Sequence, residues 1–191
     1  MRFFEFHKEI EDVEFIEIAP QKPKLMITGH ANHGKDLVCK YLRRIYGFKY
    51  STSKYAVDKF IFDELSEKFN ASSKKEFMEI KNSSNELRAA MFNSISEYNK
   101  QDPHKLFNEI MSLCNIYCGA RRKIEVNWDM IDLSIWVDAS ERLPAEPSAS
   151  MTLKPSDCDI VLNNNTSKED LYRRIDWIMN GINNKKEFGC E

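Results

Sequence analysis

Long apolar runs are missing from this chain of 191 residues. No stretch approaches the roughly 20 residues a helix needs to span a bilayer, so no membrane partner is expected. The N-terminal run MRFFEFHKEIEDVEF places acidic residues where a secretory signal would have an unbroken apolar core. An excess of one charge is missing too. Lys and Arg total 28 against 30 Asp and Glu, the formal net charge is −2, and the pI is about 6.1. Strong nucleic-acid binding through a broad basic surface is therefore not expected. There is no CxxC pair, and the five cysteines, Cys39, Cys114, Cys118, Cys158 and Cys190, are odd in number. This usage fits reduced thiols in a cytoplasmic protein better than disulfides or zinc; Cys118, in the apolar run NIYC, reads as a small core residue. Internal repeats and low-complexity tracts are absent. What remains is 42% hydrophobic and 30% charged, enough for one domain whose core needs no staples.

Residues 24–36, KLMITGHANHGKD, are the most informative run. The apolar Leu25-Met26-Ile27 leads into Gly29. Gly34 and Lys35 follow, and then Leu37, Val38, Tyr41, Leu42 and Ile45 recur at helical spacing. Strand, glycine-bounded loop, lysine and helix in that order predict a phosphate-binding P-loop rather than a turn with an incidental lysine. Gly29 and Gly34 allow the backbone to turn its N–H groups toward a phosphate. The helix start adds positive potential, and Lys35 supplies a point charge for the outer phosphates. Gly29, His30, Ala31, Asn32, His33, Gly34, Lys35, Asp36 and Leu37 are the expected nucleotide-binding set. His30 and His33 are expected to be exposed beside the phosphates, since the backbone does the loop's work. Asp36 stands where Ser or Thr usually binds magnesium; a carboxylate is itself a hard-cation ligand, so Mg²⁺ can be held there directly or through water.

Residues 1–23 stand apart as an N-terminal extension closed by Pro20 and Pro23. Gly47 is a candidate helix cap before a short strand at Phe48-Lys49-Tyr50. Val57, Phe60, Ile61, Leu65 and Phe69 lie at helical spacing, as do Leu87, Met91, Ile95 and Tyr98 after the polar break NASSKK. Asp102-Pro103 reads as the start of a helix through Leu113. Strands are expected at Asn115–Cys118, Leu133–Val137 and Asp159–Leu162, and a last helix from about Ser167. Alternating strands and helices predict an α/β fold, a three-layer P-loop kinase-like domain over 24–191 with a parallel sheet. Residues 54–113 form a helical insertion over its ligand-binding edge, and about 138–156 a lid-like loop. Trp128, Trp136 and Trp177 read as core or near-core anchors.

GHANHGKD, RAAMFNSISEYNKQDP, IYCGARRK and IWVDASERLPAEPSAS followed by DIVLNNN, in this order, resemble the bacteriophage deoxynucleoside monophosphate kinase group over residues 24–180. Leu37 departs from that group's frequent threonine. The resemblance implies ATP and Mg²⁺ as cofactors, nucleotide substrates, and transfer of the γ-phosphoryl group to a nucleoside or deoxynucleoside monophosphate in the cytoplasm, the host's if the chain is phage-encoded. A homodimer is compatible with it. Two alternatives stand beside that reading: a P-loop kinase with another acceptor, such as a modified base in DNA or a small metabolite, and a nucleotide-binding protein without turnover.

Phosphoryl transfer needs charge neutralisation and alignment more than a nucleophile, so arginines near the loop are the next candidates. Arg121 and Arg122 follow the strand ending at Cys118, and ligands of open parallel sheets sit beyond the carboxyl ends of strands; either at least one of the pair bridges donor and acceptor phosphates or both are solvated arginines at a helix start. Arg121 matches the Gly-x-Arg turn of the resembled group. Arg142 lies in a long polar loop with Pro144 and Pro147, either a lid arginine closing on the transferring phosphate or a surface residue. Arg88 either forks onto an acceptor phosphate or makes a helix-surface ion pair. Ser53, with Ser51, either touches the acceptor or caps the next helix. Asp138 either orients magnesium-bound water or caps the loop that comes after it. Asn163, Asn164 and Asn165 read as a turn beyond the last strand, a place that can also lie beside adenine.

Overall fold

The computed structural model describes residues 22–145 and 151–187; the expectations for residues 1–21 and for the middle of the lid-like loop lie outside them. Five strands, β1 (Leu25–Thr28), β2 (Tyr50–Thr52), β3 (Ile116–Cys118), β4 (Leu133–Asp138) and β5 (Ile160–Asn163), form one sheet in the order β2-β3-β1-β4-β5. Every pairing is parallel, as expected for strands joined by helical crossovers.

The side-chain alternation of the strands divides the core. Leu25, Ile27, Ile116, Cys118, Ile135, Val137 and Leu162 face α1 (Lys35–Tyr46) and α7 (Lys168–Glu187). Met26, Tyr117 and Trp136 face the helices between β2 and β3. These are α2 (Lys54–Ala56), a π-helical turn (Val57–Ile61), α3 (Phe62–Leu65), α4 (Lys74–Ser83), α5 (Asn85–Tyr98) and α6 (Lys105–Leu113). β1, β3 and β4 are buried on both faces, which explains why they read as nearly unbroken apolar runs. The result is the three-layer α/β architecture with a parallel sheet and a helical insertion, and the insertion packs on a face of the sheet.

Several boundaries differ from the periodicity. β2 starts at Tyr50, two positions later than expected: its ladder with β3 opens with Tyr50 opposite Ile116, whose N–H donates to the Lys49 carbonyl. α4 went unread: its polar sequence KKEFMEIKNS buries only Phe77, and its start is fixed by Ser73, whose hydroxyl accepts the Glu76 N–H. α6 starts at Lys105. Asp102 accepts the His104 N–H in a local turn instead of capping the helix. Of the three tryptophans only Trp136 is a core anchor; Trp128 is 38% and Trp177 is 77% exposed, a correction to the expectation.

Candidate functional site: a glycine-bounded phosphate loop

The loop between β1 and α1 lies at the carboxyl edge of the sheet, between its neighbours β3 and β4. Gly29 has φ +137°, and a side chain there would run into the Val137 carbonyl of β4. Gly34 has φ +102°, and a side chain there would strike the Asn164 amide. Asn32 takes φ +64°, a left-handed conformation that Asn tolerates better than most residues. Interleaved positive and ordinary φ values are the backbone pattern of anion-binding nests. Lys35 Nζ donates to the His30 carbonyl at 2.5 Å, folding back over its own loop. Beside it lies a depression of about 330 Å³ lined by Asn32, Gly34, Lys35, Asp36, Leu37 and Lys40. Sequence reading passed over Lys40; its spacing of one helical turn from Asp36 was the available signal.

The histidines correct the expectation of exposure. His33 is completely buried, with Nδ1 accepting the Ala139 N–H at 3.0 Å and Nε2 at 3.4 Å from the Pro144 carbonyl oxygen. The His30 ring sits edge-on between His33 and Trp136. These rings pack the loop onto β4 and onto the turn at its carboxyl end.

Asp36 lies in the first turn of α1, the end at which a negative charge is favoured. The thiol of Cys118, last residue of β3, is 3.6 Å from its Oδ1. The adjacent Cys39 thiol is pushed well above its ordinary pKa by burial and then by Cys118. Thus β3 ends on a thiol, and the carboxylate beside it comes from α1. Among the described residues no group of three or more His, Cys, Asp or Glu could hold a metal ion by itself. Mg²⁺ takes one or two carboxylates and completes its shell with phosphate oxygens and water; the Asp36 carboxylate, on the lining of the depression beside Lys35, is a donor of that kind. Asp138 ends β4, but its carboxylate is engaged by the Ser140 N–H and hydroxyl and by the Asn165 amide. That is the loop-capping alternative.

The arginines separate. Gly119 N–H donates to the Ile27 carbonyl, and the buried Thr28 hydroxyl donates to the Ala120 carbonyl at 2.6 Å. These bonds hold the segment leading into Arg121 against the strand that feeds the loop. Arg122 points toward the insertion, onto the Ser96 hydroxyl, Glu125 and the Phe92 ring; burial raises the Glu125 carboxyl above its usual range. Arg142 is held by Nε to the Asn164 carbonyl at 2.8 Å. Arg88 donates from Nε and Nη2 to the carbonyls of Lys81 and Asn82 at the end of α4, where a cation also meets the helix dipole. Ser53 precedes α2 but makes no side-chain cap there; its hydroxyl accepts from Lys81 Nζ at 3.0 Å. Asn164, expected in a turn or beside adenine, is buried, and its amide donates to the His33 carbonyl at 2.8 Å.

No protein-family model matches the chain, and no curated protein matches it. Among solved structures it is similar to the shikimate kinase from Aquifex aeolicus vf5, at 12% identity and a TM-score of 0.42, over 83% of this chain and 96% of that one. It is also similar to the shikimate kinase from Bacteroides thetaiotaomicron, at 9% identity and a TM-score of 0.40, over 83% and 98%. The kinase-like fold assignment rests on the strand order and the phosphate loop rather than on these likenesses. The resemblance to the phage kinase group stands on its sequence motifs alone.

Proposed function

We propose that this protein is a P-loop phosphotransferase that moves the γ-phosphoryl group of ATP to a nucleoside or deoxynucleoside monophosphate, giving the diphosphate. The observation that carries the reading is the loop itself: glycines at 29 and 34 in conformations and contacts that exclude a side chain, followed by a lysine folded over the cradle. Lys35 moves from the His30 carbonyl to the outer phosphates, where it offsets the charge that builds up in transfer. Arg142 and Arg121 stand at the ends of the strands flanking β1 and supply further positive charge for donor and acceptor phosphates. Asp36 would hold Mg²⁺, which neutralises phosphate oxygens when bound. The nucleotide acceptor is supported by the motifs shared with the phage group and by the helical insertion between β2 and β3, with Ser53 and Arg122 on the acceptor side.

The test is ADP formation from ATP with each nucleoside and deoxynucleoside monophosphate offered singly, with no acceptor, and with an oligonucleotide. Turnover that depends on one or a few monophosphates is the expected result. Turnover on the oligonucleotide alone would replace the acceptor. A second reading, nucleotide binding without turnover, draws on the thiol at the end of β3. ATP binding with no ADP formed across the panel would select it.

A further inference from the structure

One histidine ring fastens both ends of the turn that carries Arg142. His33 Nδ1 accepts from Ala139, and Nε2 faces the Pro144 carbonyl. Because Nδ1 accepts, the neutral ring carries its proton on Nε2, where a carbonyl can use it. Inside the turn, Arg142 N–H donates to the Ala139 carbonyl at 3.1 Å. The other side of the circuit runs through Asn164. Its amide donates to the His33 carbonyl at 2.8 Å, its N–H donates to the Asp138 carbonyl at 2.6 Å, and its own carbonyl accepts from Arg142 Nε at 2.8 Å. His33 and Asn164 are 0% and 4% exposed, whereas Arg142 lies on the surface. Its Nε is committed, while its two terminal nitrogens have no partner among the described residues.

We propose that His33 and Asn164 are positioning residues that fix Arg142 to the phosphate loop, so that its terminal nitrogens meet the polyphosphate of a bound nucleoside triphosphate. The inference rests on the phosphate-loop reading but not on the identity of the acceptor. An arginine anchored in advance through Nε gives up less freedom when it grips a phosphate than one on an untethered turn. The loop that binds the phosphates and the turn that supplies the arginine become one rigid unit. His33 touches no ligand in this scheme and acts through Arg142.

A double-mutant cycle read by calorimetry with ATP tests it, on variants whose melting curves show a folded protein. Arg142→Ala is expected to weaken ATP binding about tenfold, as for loss of a charge-assisted contact. His33→Ala should weaken it by a similar factor, and the double variant should bind no more weakly than Arg142→Ala. His33→Asn, whose Oδ1 can still accept from Ala139, should recover most of the affinity. If His33→Ala does not fold, Asn164→Ala paired with Arg142→Ala gives the same cycle. Factors that multiply in the double variant would overturn the proposal, as would unchanged affinity in either single variant. Lys35→Ala separates the two layers. If wild type binds ATP and Lys35→Ala does not, the phosphate-loop reading holds whatever the cycle returns. A folded wild type that fails to bind ATP ends both.

Discussion

Lys35 and Asp36 are consecutive residues with opposite charges, and different tasks are proposed for them. Lys35 Nζ rests on a backbone carbonyl, a contact that a phosphate outcompetes by charge. Lys35→Ala is therefore expected to cost on the order of 3–5 kcal/mol of transition-state stabilisation. Single-turnover kinetics on a protein with an unchanged melting curve checks this; near-wild-type rates would falsify the assignment. Asp36 faces a thiol rather than a second carboxylate, so no neighbour on β3 compensates for its loss. Asp36→Asn should raise the Mg²⁺ concentration needed for half-maximal turnover, because an amide is a weaker ligand for a hard cation. Superimposable magnesium titrations of the two proteins would remove Asp36 from the metal site.

At the scale of elements, the junction of α4 and α5 is built from polar groups, among them the acceptor-site candidate Arg88. Ser84 accepts the Leu87 N–H to start α5, while Arg88 reaches back to the last carbonyls of α4. Arg88→Ala is expected to lower stability by about 1–2 kcal/mol through lost charged hydrogen bonds, seen in urea denaturation, with the acceptor KM unchanged. A raised acceptor KM at unchanged stability would return Arg88 to the acceptor site. Within α7, Gly181 is exposed and an added methyl group meets nothing within 4 Å. Gly181→Ala should stabilise the protein by about 0.5–1 kcal/mol by favouring the helix. A fall in melting temperature would contradict an ordinary helical conformation at that position.

For the molecule as a whole, one sheet serves two cores. The insertion helices cover one face and α1 with α7 the other, and the strands that feed the site belong to both. Phe77, fully buried in the insertion core, reports on that coupling. Phe77→Ala is expected to cost about 3–5 kcal/mol while denaturation stays a single transition by tryptophan fluorescence and circular dichroism. Two separated transitions would show that the insertion melts on its own. The same construction explains the site's position. The carboxyl ends of β1, β3 and β4 adjoin, so Lys35, Arg121 and Arg142 come from distant parts of the chain to one edge.

What the sequence determined by itself was local and periodic. Apolar runs marked β1, β3, β4 and β5 to within a residue, the spacing of Val38 and Leu42 marked α1, and Gly29, Gly34 and Lys35 marked the loop, because each depends on neighbours in the chain; of the polar β2 only Tyr50 was marked. The tertiary structure decided the rest. Nothing local says that His33 is buried, that Asn164 braces Gly34, or that Cys118 rather than an acid faces Asp36. Those partners are 106, 131 and 82 residues apart for the pairs His33–Ala139, His33–Asn164 and Asp36–Cys118. Arg88 could not be placed from its type either, since an arginine serves a helix end or a phosphate with the same guanidinium. Burial and long-range hydrogen bonds place His33, Asn164 and Asp36, and both arise only when the sheet assembles; the Arg88 bonds span six and seven residues and come from the junction of α4 with α5.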